Sequence, residues 1–485
     1  MSKQNQSDAE KLERELKRAE KRGDRLQHDN DRLRREGDRL RREREQMRRE
    51  IGRLRGELDA ARRAGKRQAA PFSRGKPKAN PKRPGRKPGR RYGRQGRRPI
   101  PSRIDETYEA PLPDCCPDCG GRVKRDRVAS QYQEDIPPVR PLVRCFHVHV
   151  GHCTGCHRRV QGRHPLQTSD ALGAASCQLG PQAVALAVVL NKQFGLSFGK
   201  VATLFRERFG LQVTAGGLVR ALHRAARRGQ PSYEALRTTI RGSPAVTPDE
   251  TGWRVAALLS WLWAFVTEDT TVYAILPGRG FEEAASVLGK DYAGGLSRDG
   301  WVIYRQFTQA VHQTCLTHLL RRCGELQEDH PHALLPRQVE TLLQRGLKVR
   351  DRRDAGEISA HGAKVAGGRL SMELLLLLES SSTLPAVERF AKHLANEFVA
   401  VFNFLFLEAL DATNWRAEQA IRPAVVTRKM CGGGNRTWQG AETQQILASI
   451  LRTASQRGLD SSDLLVQMLC SPVPIVPAGL QAPPQ

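Results

Sequence analysis

The chain has 485 residues, with 79 Lys or Arg against 51 Asp or Glu and a formal net charge of +28. Of that excess, +20 falls in residues 1–100 and only +8 in the other 385, so a basic arm precedes a nearly ordinary body, the pattern of a protein that meets a polyanion such as nucleic acid. No apolar run approaches the ~18–20 residues that span a bilayer, no apolar leader opens the sequence, and 11 Cys with two C-x-x-C pairs suit a reducing compartment and metal binding better than a disulfide frame; a cytoplasmic, nucleoid-associated protein is expected, with no membrane contact.

Residues 1–65 repeat with period seven. Leu12, Ala19, Leu26, Leu33, Leu40, Met47, Leu54 and Ala61 share one heptad position, and Leu16, Ile51 and Leu58 the companion position. That spacing predicts a coiled coil and hence a homo-oligomer, against the alternative of a single solvated helix. Its middle is weak, because Gly23, Asn30, Gly37 and Arg44 take the companion seam. Residues 66–100 then hold 14 Lys or Arg, no acid, and repeated Pro and Gly. Such a segment cannot bury enough apolar surface to fold alone, so a disordered basic linker is expected. Arg86, Lys87, Arg90 and Arg91 are its candidate phosphate contacts.

Residues 101–165 carry Cys116-x2-Cys119 and Cys153-x2-Cys156, separated by 33 residues with a β-like stretch at 142–150. Two such knuckles supply four thiolates for tetrahedral Zn2+, which predicts a structural zinc ribbon; redox-active or unpaired thiols are the alternative. Residues 170–235 read as helical. A helix over 181–194, then Phe198–Phe209, a turn at 210–213, and a helix over 214–227 with Thr214 as N-cap resemble a helix-turn-helix. Arg220 and Arg224 on the second helix are candidate DNA contacts, although a hairpin used only for packing has the same pattern.

From residue 244 the pattern changes to strands. Ala245–Val255, Leu258–Val266 and Thr271–Leu276 form a predicted meander, followed by a helix at 282–288 and a fourth strand at 296–304. That order opens a ribonuclease-H-like core of mixed α+β class, with Asp249 on the first strand and Asp299 on the fourth. If those strands are neighbours, the two carboxylates face each other and can hold a hard divalent cation such as Mg2+ or Mn2+. Glu250 points to the opposite face. A third acid, Glu418, opens a helix-like stretch near Arg416 and Arg422. The core is read as 244–322 and 411–460, interrupted by a helical insertion at 323–410, with a disordered tail at 461–485. The 374–378 leucine run reads as buried, and Trp301, Trp415 and Trp438 as core residues or stacking platforms for bases.

The segments DETGWRV (249–255), SWLWAFV (260–266), DGWVIY (299–304), CLTHLLRR (315–322), NWRAEQAIRPAVVTRKM (414–430) and GGGNRTWQGAE (432–442) resemble the insertion-sequence-66 family of bacterial DDE transposases. So does the order of coiled arm, basic linker and zinc ribbon before them; the resemblance covers residues from about 10 to 460. It implies a transposase that cuts DNA at the element's ends and transfers the freed 3′-hydroxyl into target DNA. It also implies Asp249, Asp299 and Glu418 as catalytic Mg2+ ligands, with Cys315 and His318 as a C-x-x-H element beside them. Arg416, Arg422, Arg428 and Lys429 fall in the same blocks as DNA-contact candidates, and small accessory proteins of the element are implied partners. Trp301 stands where that family usually has Tyr, Leu316-Thr317 where it has Trp-Ala, and Gln419 where it has Arg. A non-catalytic DNA-binding or regulatory protein derived from a transposase is the alternative function.

Overall fold

A computed structural model describes residues 3–65, 99–172, 177–379, 384–430 and 433–481. The linker cations Arg86, Lys87, Arg90 and Arg91 therefore lie outside the described residues. The chain divides into two units, Met1–Pro99 and Ile100–Gln485.

In the first unit, α1 (Lys3–Gly65) is one continuous helix of 63 residues. Its sequence is rich in Arg, Glu and Leu, which lose little freedom in a helix. The heptad residues Leu16, Leu26, Leu33, Leu40, Met47, Ile51 and Leu54 are each at least half exposed along it.

The second unit opens with two small knuckles and a hairpin of β1 (Val150–His152) and β2 (Arg159–Gln161). The β-like 142–150 stretch forms a strand only from Val150 onward. Next comes α2 (Pro181–Val188), which continues as a π-helical turn at Val189–Gln193. The helix α3 (Phe198–Phe209) ends at Gly210, whose φ of 64° is the left-handed stop that glycine adopts without strain. Thr214 then caps α4 (Ala215–Gly242), its side chain accepting the Gly217 N–H. This helix runs well past 227 and through Pro231. Its apolar face, including Leu218, Leu222, Tyr233, Leu236 and Ile240, is buried from end to end and outweighs the one backbone bond proline removes.

A five-stranded mixed sheet follows. The meander of β3 (Ala245–Val255), β4 (Leu258–Val266) and β5 (Thr271–Leu276) spans the predicted residues and is antiparallel throughout. Then α5 (Phe281–Leu288) crosses over to β6 (Gly295–Arg298), which pairs in parallel with β3. A fifth strand, β7 (Val311–Thr314), adds in parallel to β6, giving the order β5-β4-β3-β6-β7. The fourth strand is shorter than expected: at Asp299 the chain leaves the sheet, and Val302–Gln306 forms a 3-10 turn. The cause is local, because the Asp299 carboxylate accepts the Trp301 N–H and folds the chain back on itself.

Four helices follow: α6 (Leu316–Asp329), α7 (Leu334–Asp354), α8 (Ala360–Leu378) and α9 (Pro385–Glu397). They share a core of their own built on Leu316, Val339, Leu343, Leu374, Leu394 and Phe404. Within the leucine run only Leu374 is buried, and Leu375 and Leu376 face outward. Five consecutive leucines cannot all lie on the inner face of a helix with 3.6 residues per turn.

The chain then returns to the sheet with α10 (Trp415–Met430), α11 (Trp438–Gln456) and α12 (Ser461–Cys470). The expected disordered tail from 461 is instead helical at its start, because Leu464, Leu465, Met468 and Leu469 pack into the large core. The alternation of β4 sorts its side chains between two layers. Trp263 and Phe265 join the large core with α4 and α5, whereas Leu262 and Ala264 pack with Ala417, Ala420 and Ile421 of α10. The first acid and the helix bearing the third thus belong to the same face of the sheet. No described helix is long and apolar enough to cross a membrane.

Candidate active site

Register brings the first two acids together. The last β3–β6 pair is Val246 with Leu296, and Asp249 and Asp299 each stand three residues beyond it on parallel chains. Asp299 sits just past the strand end rather than on the strand, and its carboxylate is held by the Trp301 N–H at 2.9 Å. Asp249 accepts the Glu250 N–H at 2.9 Å. Burial, followed by the charges of Glu250, Asp299 and Glu418, pushes the Asp249 carboxyl up to about 7. The three acids therefore share one electrostatic environment.

Glu418 arrives on the first turn of α10, whose Ala417, Ala420 and Ile421 seat against Trp253, Leu262 and Ala264. The start of that helix is tied to the start of α6. Leu316 N–H donates to the Ala412 carbonyl, and Asn414 N–H donates to the Cys315 sulfur at 3.3 Å. His318, one turn along α6, places Nε2 3.9 Å from Glu418 Oε1. The Cys315 thiol beside His318 raises the imidazole pKa above its usual value, burial opposes this, and Glu418 adds to it. His318 Nδ1 is buried and has no hydrogen-bond partner among the described residues.

Two ion-pair networks fix the strand and loop that carry Asp299. Arg298 at the end of β6 donates to Glu397 at 2.8 Å, and Arg305 and Thr314 converge on the same carboxylate at 2.5 and 2.6 Å. Burial would raise the Glu397 carboxyl, but these donors hold it down to about 2. On the other face, Glu250 takes Arg279 at 2.6 Å and the Tyr304 hydroxyl at 2.6 Å. Arg279 lies between the rings of Trp261 and Trp301, so Trp301 stacks on a cation of its own chain. Glu250 is thereby committed to structure, facing away from Asp249 as the strand alternation requires.

Beside Asp299 lies a groove of about 510 Å³, lined by Asp299, Gly300 and Trp301, by His318 and Arg322 of α6, and by Arg389 and His393. Arg389 and His393 belong to α9, so the helical insertion supplies one wall. Gly300 makes this approach close: a Cβ there would stand a tight 3.3 Å from the His393 ring, which would have to shift slightly. Sequence reasoning missed Glu397, Arg389 and His393, none of which carries a local motif.

The remaining candidates divide. Arg220 and Arg224 are exposed on the outer face of α4, and burial and neighbouring cations lower the Arg224 pKa. Arg422 is exposed on α10. Arg416 instead pairs with Asp411 at 2.5 Å, and Arg428 donates to the Gly252 carbonyl of β3. The Lys429 side chain lies outside the described residues. Cys116 and Cys153 each begin a tight knuckle, closed by Gly120 N–H to Cys116 O and His157 N–H to Cys153 O. Backbone N–H groups within each knuckle lower the pKa of the Cys116 and Cys153 thiols. The two pairs, with Cys119 and Cys156, are not drawn into one cluster: among the described residues no three His, Cys, Asp or Glu are grouped to hold a metal.

The family model described as "Transposase IS66 family" matches residues 176–443, more than half of the sequence and all of the sheet, the insertion and α10. The chain belongs to the IS66 family of transposases. That family implies DNA as a partner. A curated relative from Sinorhizobium fredii, named "Uncharacterized protein y4jD", is 25% identical over 412 residues, covering 76% of each chain.

Proposed function

We propose that this chain is an active DDE transposase, cutting phosphodiester bonds at the ends of a mobile element and joining the 3′-hydroxyl to target DNA. The observation that carries the reading is the equal offset of Asp249 and Asp299 past the β3–β6 pairing, with Glu418 close enough to raise the Asp249 carboxyl. The order β5-β4-β3-β6-β7, three antiparallel strands followed by two parallel ones, supports a ribonuclease-H-like core.

Asp249, Asp299 and Glu418 are not grouped as a ready-made metal site among the described residues, but their oxygen-donor chemistry is what a hard cation requires, so they would hold Mg2+ or Mn2+ once drawn together. When bound, such ions supply a Lewis acid for the attacking and leaving oxygens of an in-line displacement. The protein's own part is placement. The Asp299 turn fixes that carboxylate at the strand end, Glu418 opens α10 on the sheet face of Asp249, and His318 stands 3.9 Å from Glu418. Arg322 and Arg389 add positive charge to the groove where a phosphate backbone passes, and His393, whose pKa burial lowers, lines it as a neutral ring.

The four knuckle thiolates have the donor chemistry for structural Zn2+, supporting a zinc ribbon that closes when metal draws the knuckles together. Arg220 and Arg224 on an N-capped helix support a helix-turn-helix contact with DNA, and the exposed heptad stripe of α1 supports a homo-oligomer. Small accessory proteins of the element are further expected partners.

The test is strand transfer of a labelled terminal-repeat oligonucleotide with Mg2+. Asp249→Asn, Asp299→Asn and Glu418→Gln should each abolish both cleavage and joining while leaving DNA binding intact. Retention of either reaction by any of the three removes that residue from the catalytic set. Loss of nothing in all three favours the non-catalytic DNA-binding alternative.

A further inference from the structure

On the sheet face that carries α10, at the end of that helix remote from Glu418, lies a second cavity of about 830 Å³. Its walls come from the π-helical turn after α2, the starts of α3, α4 and α11, strands β3 to β5, and the last turns of α10. None of the carboxylate triad lines it. Nor does any other acid among the described residues, whereas Lys192, Arg436 and Arg452 all do. Its lining is largely apolar or neutral, and the charged side chains in it are all cations, which suits an anionic ligand with an apolar part.

Its two ends differ. The inner wall is formed by Trp253, Leu262 and Tyr273 of the sheet and Leu222 of α4, an apolar and aromatic surface. Toward the opening, three helices present their first turns: α3 capped by Ser197, α4 capped by Thr214 and α11 capped by Thr437. Converging N-terminal N–H groups and dipoles favour a phosphate there. Lys192 spans the two regions. Its ammonium donates to the Gln444 side chain at 2.8 Å and lies 5.8 Å from the Phe198 ring centroid. Burial pushes it down to about 8, so it keeps its charge at neutral pH. Arg452 Nε is buried and has no hydrogen-bond partner among the described residues. Amide side chains at Asn191 and Gln439 supply donors and acceptors between the apolar wall and the charged mouth.

We propose that this cavity binds a nucleoside phosphate, its base against the Trp253–Tyr273 wall and its phosphate at Lys192 and the three helix starts. The same chemistry is offered by a free mononucleotide and by an unpaired terminal nucleotide of a DNA strand. The assignment does not depend on the carboxylate triad.

The test uses the full chain carrying Asp249→Asn, which cannot cut DNA if the triad reading holds. Two fluorescent probes separate the sources: the 5′-monophosphate of 2-aminopurine deoxyriboside, and a duplex ending in a single unpaired 2-aminopurine nucleotide. Saturable fluorescence change with the free nucleotide assigns a mononucleotide site; change with the duplex alone assigns a strand-end site. Lys192→Gln, which keeps a hydrogen-bonding partner for Gln444, should weaken binding roughly tenfold or more, as expected for loss of a charged phosphate contact. Gly216→Glu guards against misfolding as the explanation. A Cβ at Gly216 meets no atom within 4 Å, and an acid in the first turn of α4 favours the helix while repelling an anion at the mouth. It should abolish binding with the melting temperature unchanged or raised, and Gly216→Ala should bind as the parent does. No response from either probe, or an undiminished response in Gly216→Glu, overturns the proposal. If the probes bind but Asp249→Asn still cuts DNA, the cavity stands and the catalytic assignment falls.

Discussion

Asp249 is poised at a disadvantage to the folded chain. Its carboxyl is pushed to about 7, against an ordinary value of 3.8. Between those values the folded state holds a proton that the unfolded chain has released. Stability therefore falls as pH rises through that window, and the whole deficit is present above pH 7. Asp249→Asn should consequently stabilise the metal-free protein at pH 8 by on the order of 2–4 kcal/mol, with no gain at pH 4, read by denaturant melts at both values. Added Mg2+ should raise the melting temperature of the parent and not of the variant. A variant no more stable than the parent at pH 8 would show that Asp249 is neither desolvated nor crowded by its neighbouring acids. Glu397 has the opposite sign. Its carboxyl lies near 2, so its contribution is complete above its ordinary 4.5 and disappears as pH falls toward 2. Glu397→Gln leaves Arg298 buried without a counter-charge, a change of about 3–5 kcal/mol. It should destabilise at pH 7 but become nearly neutral near pH 2, and cleavage should fall with it because Asp299 follows Arg298 directly.

At the scale of elements, the meander was legible because β-branched and aromatic residues alternate over β3 to β5. The strand β7 was not, since Val-His-Gln-Thr is short and mostly polar, and its pairing with β6 is set only by the sheet. Asp249 and Glu418 could be placed from sequence, one within a strand and one opening a helix. The sequence puts Asp299 on a strand that the chain has already left, because an Asp that closes its own turn reads the same as one on a strand end. Glu397 and the α9 wall were invisible for a different reason: their partners lie about 80–100 residues away, and no local pattern records such contacts. The loop before α11 shows the same dependence on tertiary contact. Gly434 has a φ of 83°, and a Cβ there would stand 2.2 Å from the Arg254 carbonyl, where Asn435 bridges to the end of β3. Gly434→Ala should therefore destabilise by about 1–3 kcal/mol or more from the left-handed backbone and the clash together, measured by thermal unfolding. The outer face of α4 tests the DNA-binding reading without disturbing the core. Replacing exposed Arg220 and Arg224 by Gln should leave melting unchanged and reduce the slope of log affinity against log salt by about 2 for duplex DNA. An unchanged slope would make this helix pair a packing hairpin.

Over the whole molecule, the uneven charge separates two tasks. The first hundred residues hold most of the excess positive charge, and the body nearly balances its cations with acids, three of them the proposed catalytic set. The arm's own helix leaves Leu26, Leu33 and Leu40 more than half exposed along one heptad stripe, in a segment otherwise dense with Arg and Glu. Burying each leucine against a second copy is worth about 1.5–3 kcal/mol, enough across the stripe to offset the weak companion positions Gly23, Asn30 and Gly37. Pairing through this helix would give one assembly two catalytic bodies, as joining both ends of an element to one target requires. Leu33→Glu with Leu40→Glu in the full chain places two carboxylates in the middle of the seam and preserves helix propensity. Light scattering should show the parent as an oligomer and this variant as a monomer. The variant monomer should still cleave a single labelled end, because Asp249, Asp299 and Glu418 all come from one chain, but should fail to insert two ends at one target. An oligomer that survives both substitutions would place self-association elsewhere and leave α1 a solvated charged helix.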